Sequence, residues 1–220
     1  MNNNSINSVY FIGLGAIGAK YASKIYDFNP ELVKVIVNDV RLQRYTENGI
    51  YVNEKRYDFS YVTPAQSTEK ADLIIVGVKS YHLDQAIEEL KPFVGPNTQI
   101  LSLLNGIDSV GRIAQQIGEE HVLYSIVYMD AVRRDNRVSY KSIGKFVFGE
   151  ALNTIKSAKV QAVAALFDQA GIPYEIPENM ELALWRKFMI NIVINQVSFL
   201  VKGSYHIFQD NFHVMELMQL

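Results

Sequence analysis

Residues 9–18 read Val-Tyr-Phe-Ile-Gly-Leu-Gly-Ala-Ile-Gly, a short apolar run that enters a turn with three glycines in six residues. An alanine- and lysine-bearing segment, 19–26, leaves it. Apolar strand, tight glycine turn and helix in succession are the context of a dinucleotide-binding fingerprint. In that reading Gly13 makes the turn out of the strand, Gly15 lets the backbone approach a pyrophosphate, and Gly18 lets the helix pack close to the sheet. Leu14, Ala16 and Ile17 complete the loop. Phosphates would rest on the helix N-terminus, where free N–H groups and the macrodipole favour negative charge. The same glycines also suit a plain strand–helix turn, and it is the flanking strand and helix that favour a nucleotide.

The rest of the composition narrows the function classes. A length of 220 residues suits one large domain, or one domain and a smaller one. The net charge of −2 supplies no field to attract nucleic acid or an anionic membrane. The absence of cysteine excludes disulfides, thiolate chemistry and thiolate metal sites, and fits a reducing, cytoplasmic setting. Residues 1–8 are polar and asparagine-rich, without a signal-peptide layout. No apolar run reaches the ~18–20 residues that span a bilayer. His82, His121, His206 and His213 lack metal-ligand spacing, so no metal is expected and each reads as a surface or packing residue.

Taken in order, 33–37 is a second buried strand, apolar apart from Lys34. Asp39 stands 21 residues beyond Gly18, about where a carboxylate meets the adenosine ribose hydroxyls. It is equally suited to cap a helix over 40–47. Arg41 and Arg44 follow, and a guanidinium fork matches a 2′-phosphate. Asp39 favours NAD and the arginines favour NADP; both readings stand. Asn48-Gly49 ends that helix, and alternating runs around Tyr51 and Tyr61 predict a hairpin. Residues 71–78, ADLIIVGV, form a buried strand that delivers Lys79-Ser80 at its C-terminal end. Ligands gather at that edge of an open α/β sheet, so Lys79 is placed to meet an anion; the plain alternative is a solvated lysine opening a helix. A helix over 84–90 ends at Lys91-Pro92. A strand over 99–104 stops at Asn105-Gly106, a turn signal that also sets Asn105 at the ligand edge. A strand over 122–128 and antiparallel additions over 138–140 and 145–148 follow. A helix over 153–171 is expected next, capped by Asn153, with Ile155, Val160, Val163, Ala164 and Phe167 inward. A short strand over 172–176 closes a first domain, 1–176.

Pro177-Glu178-Asn179 marks the boundary to a second, helical domain over 177–220. Its segment 180–201 has no proline or glycine and is apolar nearly all round, which predicts a buried helix. Lys187, Asn191 and Asn195 fall at i, i+4 and i+8, along one narrow face. Buried unpaired amides or ammonium groups are costly, so the stripe needs water, protein partners or a polar ligand, unless it is a thin solvent-facing edge. Lys187 is placed to face a cleft between the two domains.

Four separated motifs, GLGAIG, ADLIIVGVKSYHLDQAI, LLNGI and LWRKFMINIVINQ, occur in one order. Together they resemble the ketopantoate reductase (2-dehydropantoate 2-reductase) family over nearly the whole chain. The resemblance implies a Rossmann-type doubly wound, mostly parallel α/β sheet followed by an all-helical C-terminal domain. It implies NADPH as cofactor, with NADH as the alternative, held by the glycine turn and Lys79. It implies that Asn105 lies near the nicotinamide and substrate, that Lys187 is catalytic, and that Asn191 and Asn195 bind substrate. The activity implied is reduction of 2-dehydropantoate to pantoate in pantothenate and coenzyme A synthesis. The partner is then a small 2-keto acid, and a homodimer is compatible. Two alternatives remain: a 2-keto acid or hydroxyacid dehydrogenase with another substrate, or a non-catalytic nucleotide-binding remnant. Two departures bear on them. The family continues with further helices carrying a serine and a glutamate toward the substrate, whereas this chain stops within an apparent helix at 215–220, so the second domain is expected to be partial and the apolar face of 180–201 exposed. Asn38-Asp39 also stands where the family often has a basic residue for the 2′-phosphate, with Arg41 as a substitute.

Overall fold

The computed structural model describes residues 5–66 and 69–202. In chain order, β1 (Val9–Ile12) leads into α1 (Ala16–Phe28), and β2 (Val33–Ile36) into α2 (Asp39–Asn48). Three short strands follow, β3 (Ile50–Val52), β4 (Lys55–Tyr57) and β5 (Ser60–Val62). Then come β6 (Leu73–Val76), α3 (Leu83–Leu90), β7 (Gln99–Ser102) and α4 (Ser109–Ile117). β8 (Val122–Tyr128), β9 (Val132–Arg134), β10 (Arg137–Ser139) and β11 (Lys145–Gly149) precede α5 (Ala158–Gln169), β12 (Tyr174–Glu175) and α6 (Met180–Val201).

Eight strands make one sheet in the order β12-β11-β8-β7-β6-β1-β2-β5. Neighbours from β5 through β8 run parallel, β11 is antiparallel to β8, and β12 is parallel to β11. This is the doubly wound, mostly parallel architecture expected of the sequence. Both faces of such a sheet are covered, so its central strands need no polar alternation. Val9 and Phe11 join a core with Ala22, Ile25, Val163 and Phe167, while Tyr10 and Ile12 join another with Leu83, Ile87 and Ile113.

Several local expectations are corrected. The Tyr51 run does form a hairpin, but with 55–57; the Tyr61 run instead adds β5 in parallel to β2 at the edge of the main sheet. The run around Val138 pairs antiparallel with β9 and parallel with β3, giving a separate sheet β4-β3-β10-β9 that packs on α1. Only 145–149 adds antiparallel to the main sheet. The helix expected over 153–171 begins at Ala158, where Ser157 accepts from the Val160 N–H. Asn153 is instead buried in a loop, its Oδ1 accepting from the Glu150 N–H and its Nδ2 donating to the Pro177 carbonyl, and Ile155 is 85% exposed. Helix α4 has no counterpart in the sequence reading.

Helix α6 packs by its N-terminal half, Met180 and Leu184 meeting Ile126 and Val147 of the sheet. Measured over the described residues, Trp185, Met189 and Ile190 are half exposed, and Phe199 is 82% exposed. The all-round burial expected from its composition is therefore not met, because only one side touches the sheet. No helix among the described residues is long and apolar enough to cross a membrane. The apparent helix at 215–220, His206 and His213 lie outside the described residues.

Candidate active site

Strand order reverses at β1, which lies between β2 and β6. Open α/β sheets bind ligands in the crevice outside the carboxyl ends of the strands at such a point. Here β1 delivers the glycine turn and β6 delivers Gly77-Val78-Lys79-Ser80, and the two are packed on each other. Gly13 has φ +95°, and a Cβ there would lie 2.7 Å from the Gly77 backbone. A Cβ on Gly18 would lie 2.1 Å from the Gly13 carbonyl oxygen, and one on Gly77 2.8 Å from the same atom. Gly77 thus belongs with the fingerprint glycines, and a glycine inside an apolar strand was the signal for it. Because Gly18 meets backbone, Gly18→Ala must displace α1 from the sheet. We expect a stability loss of about 1–3 kcal/mol, the usual range for overpacking, read by urea unfolding.

Gly15 is different. A Cβ there would meet only the Gly77 carbonyl oxygen, at 3.4 Å. Its other side opens on a cleft of about 350 Å³, lined also by Ala16, Ile17, Lys79, Ser80 and Asn105. Gly15 is the N-cap of α1, with no side-chain cap and no acidic residue in the first turn. Nothing on this helix end competes with an incoming anion. Leu14 is buried, so it offers the cleft no side-chain surface.

Lys187, on the third turn of α6, reaches this edge. Its Nζ donates to the Val127 carbonyl at 2.8 Å and to Asn105 Oδ1 at 3.3 Å, and lies 5.6 Å from the Tyr128 ring centroid. Burial alone pulls its pKa down from the usual lysine value to about 8. Such an ammonium is charged at neutral pH yet gives up its proton more readily than a solvated lysine. The Val127 carbonyl was not readable from sequence, since any residue type supplies one.

A second buried amine, Lys20 on α1, donates to the Ser142 carbonyl at 2.6 Å and lies 4.4 Å from the Tyr140 ring centroid. Desolvation, then repulsion from Lys24, lowers its pKa to about 8. Both lysines hold protons less well folded than unfolded. Between about pH 8 and the unfolded value of about 10.4 the unfolded chain therefore binds more protons, and stability should rise with pH. Denaturation midpoints across that window test this, and Lys20→Met should flatten the rise.

The other expected site residues are more scattered. Asn191 is half-buried and Asn195 exposed, about 6 and 12 Å further along the α6 axis than Lys187, and neither lines the glycine-loop cleft. Asp39 is exposed at the first position of α2 and does not cap it: Asn38 does, its Oδ1 accepting from the Arg41 N–H at 3.0 Å. Asp39 and Arg41 stand beyond the β2 end and do not line the cleft. His121 is buried with Nδ1 2.8 Å from the Thr98 carbonyl oxygen, and His82 lies in a short 3-10 turn. No metal-holding cluster of His, Asp and Glu occurs among the described residues.

Residues 9–153 match the family described as ketopantoate reductase PanE/ApbA. A 2-dehydropantoate 2-reductase of Streptococcus pyogenes serotype M3 is 26% identical over 191 residues, which are 85% of this chain and 62% of that protein. The chain thus spans about three-fifths of the length of that relative. Among solved structures, the 2-dehydropantoate 2-reductase from Geobacter metallireducens is similar with a TM-score of 0.82 and 21% identity, over 96% of this chain and 71% of that one. A ternary structure of D-mandelate dehydrogenase with NADH and anilino(oxo)acetate is similar with a TM-score of 0.83 and 17% identity, over 96% and 70%. At these identities the structural likeness is one of fold.

Proposed function

The chain belongs to the ketopantoate reductase family, and from that premise we propose that it binds a nicotinamide dinucleotide over the glycine loop and reduces 2-dehydropantoate to pantoate. The observation that carries the reading is the Lys187 ammonium, 3.3 Å from an asparagine that lines the glycine-loop cleft. The residues present fit a dinucleotide: the open side of Gly15 is space a Cβ would fill, the α1 end is free of acidic side chains, and Lys79 adds a cation. In this proposal residues 1–176 hold the cofactor and residues from 177 onward begin the substrate-binding part.

When bound, the reduced nicotinamide supplies a hydride to the C2 ketone. Negative charge then grows on the ketone oxygen, and the Lys187 ammonium stabilises it and delivers the proton. Asn105 and the Val127 carbonyl orient the amine. Asn191 and Asn195, on the same helix face, hold the hydroxyl and carboxylate ends of the substrate and so fix the face presented for reduction. NADPH is the cofactor proposed, with Arg41 toward the 2′-phosphate; Asp39 keeps NADH as the second reading. Assembly as a homodimer belongs to the same proposal and is read by light scattering.

Loss of reduced-cofactor absorbance with 2-dehydropantoate, compared for NADPH and NADH, tests the reading. Turnover with other 2-keto acids alone would move the substrate within the dehydrogenase class. Cofactor binding without turnover on any of them would leave a nucleotide-binding protein and remove the catalytic role. If Lys187 supplies the proton as an ammonium, activity should hold at neutral pH and fall as pH rises through about 8. A flat profile across that range would separate the proton from this amine.

A further inference from the structure

A second cleft, of about 290 Å³, shares no residue with the first. Arg44, Tyr45 and Asn48 line it from α2, and Arg133, Asp135 and Asn136 from β9 and the turn beyond. Tyr45 is buried, its ring tilted against that of Tyr61 at 5.9 Å. The guanidinium carbons of Arg44 and Arg133 lie 5.2 and 5.9 Å from the centroid of this one ring. A guanidinium over an aromatic face is attracted to the ring, which restrains it while leaving its N–H edge free.

The two cations are also uncommitted. Arg56, Arg112 and Arg137 each pair with a carboxylate, whereas among the described residues neither Arg44 nor Arg133 is in an ion pair. Arg133 donates through Nε to the Asp135 carbonyl at 2.7 Å, which leaves its terminal nitrogens unengaged. The two walls are tied together, since Asn136 Nδ2 donates to the Asn48 carbonyl at 2.6 Å. The opposing charges are the Asp135 carboxylate and the negative end of the α2 dipole. They offset much of the attraction for a monoanion. A ligand with two or more negative charges still gains from both guanidinium forks.

We propose that this cleft binds a small phosphorylated ligand through Arg44 and Arg133, separately from the dinucleotide cleft. Inorganic pyrophosphate is the probe, titrated into the full chain by calorimetry. The wild type should show a binding component that Arg44→Ala or Arg133→Ala weakens at least about tenfold, the factor for one charge-assisted contact. Lys79→Ala, which removes a cation from the first cleft, should leave that component intact. Asp135→Asn should strengthen it, a gain that misfolding cannot imitate. Absence of binding by the wild type would overturn the proposal. So would binding that survives the Arg44→Ala, Arg133→Ala double variant and disappears in Lys79→Ala, which would place pyrophosphate on the glycine loop.

Discussion

Replacing Lys187 with alanine is expected to lower kcat by about 10²–10⁴-fold, the range for loss of a positioned proton donor. The dissociation constant of the reduced cofactor should barely change, because Lys187 contacts Asn105 and the Val127 carbonyl rather than the glycine loop. An interaction realised only in the transition state appears in kcat and kcat/KM alike. Lys187→Arg is the sharper variant. It retains positive charge, but a guanidinium is not deprotonated in proteins and its planar fork does not fit the two acceptors that hold the ammonium. Activity should therefore stay low, and the fall above about pH 8 should vanish. The alanine variant leaves a partly buried carbonyl and an amide without their donor, at a cost in stability that circular dichroism would report independently. Wild-type turnover by a folded Lys187→Ala protein would take the amine out of the mechanism.

The elements legible in the sequence were those whose signal is local. Strand, glycine turn and helix over 9–28 depend on neighbours in the chain, and so do the buried runs at 73–76 and 99–102. The runs at Tyr51 and Val138 read as strands, but their assembly into a small sheet was not legible, because β3 pairs with β10, more than eighty residues away. Its hairpin turn also carries an unusual pair: Asn53 and Glu54 have φ of 47° and 65°, where Asn-Gly would have been the recognisable signal. Helix α4 does carry a local signal, Val110, Ile113 and Ile117 at i, i+3 and i+7, but over only nine residues and interrupted by Gly111. At the β2 end, Asn38 and Asp39 both suit a cap, and only the observed bond to the Arg41 N–H distinguishes them. Of the candidate site, the glycines, Lys79 and Asn105 were marked by position at strand ends. The approach of Lys187 to Asn105 was not readable at that precision, since it depends on how α6 crosses β8. Burial of Lys20 was hidden for the same reason: a lysine in an amphipathic helix reads as solvated until the sheet that covers it is known.

Gly15→Val is expected to abolish binding of the reduced cofactor while leaving the fold in place. The two effects separate because this glycine has protein on one side only. A Cβ at Gly15 meets the Gly77 carbonyl at 3.4 Å, ordinary van der Waals contact, and its φ of −66° is open to any residue. The added methyl groups therefore enter the cleft rather than the core. They occupy the approach to the first N–H groups of α1, where a pyrophosphate must come within hydrogen-bond distance of backbone. Gly18→Val is the contrasting variant: its Cβ collides with the Gly13 carbonyl at 2.1 Å, so binding and stability should be lost together. Cofactor fluorescence titration and thermal unfolding of both proteins read the two quantities apart. If Gly15→Val bound the cofactor as the wild type does, the dinucleotide would not lie on this loop. Lys187 would then stand beside Asn105 with no hydride source in the adjoining cleft, and the proposed reduction would lose its geometry.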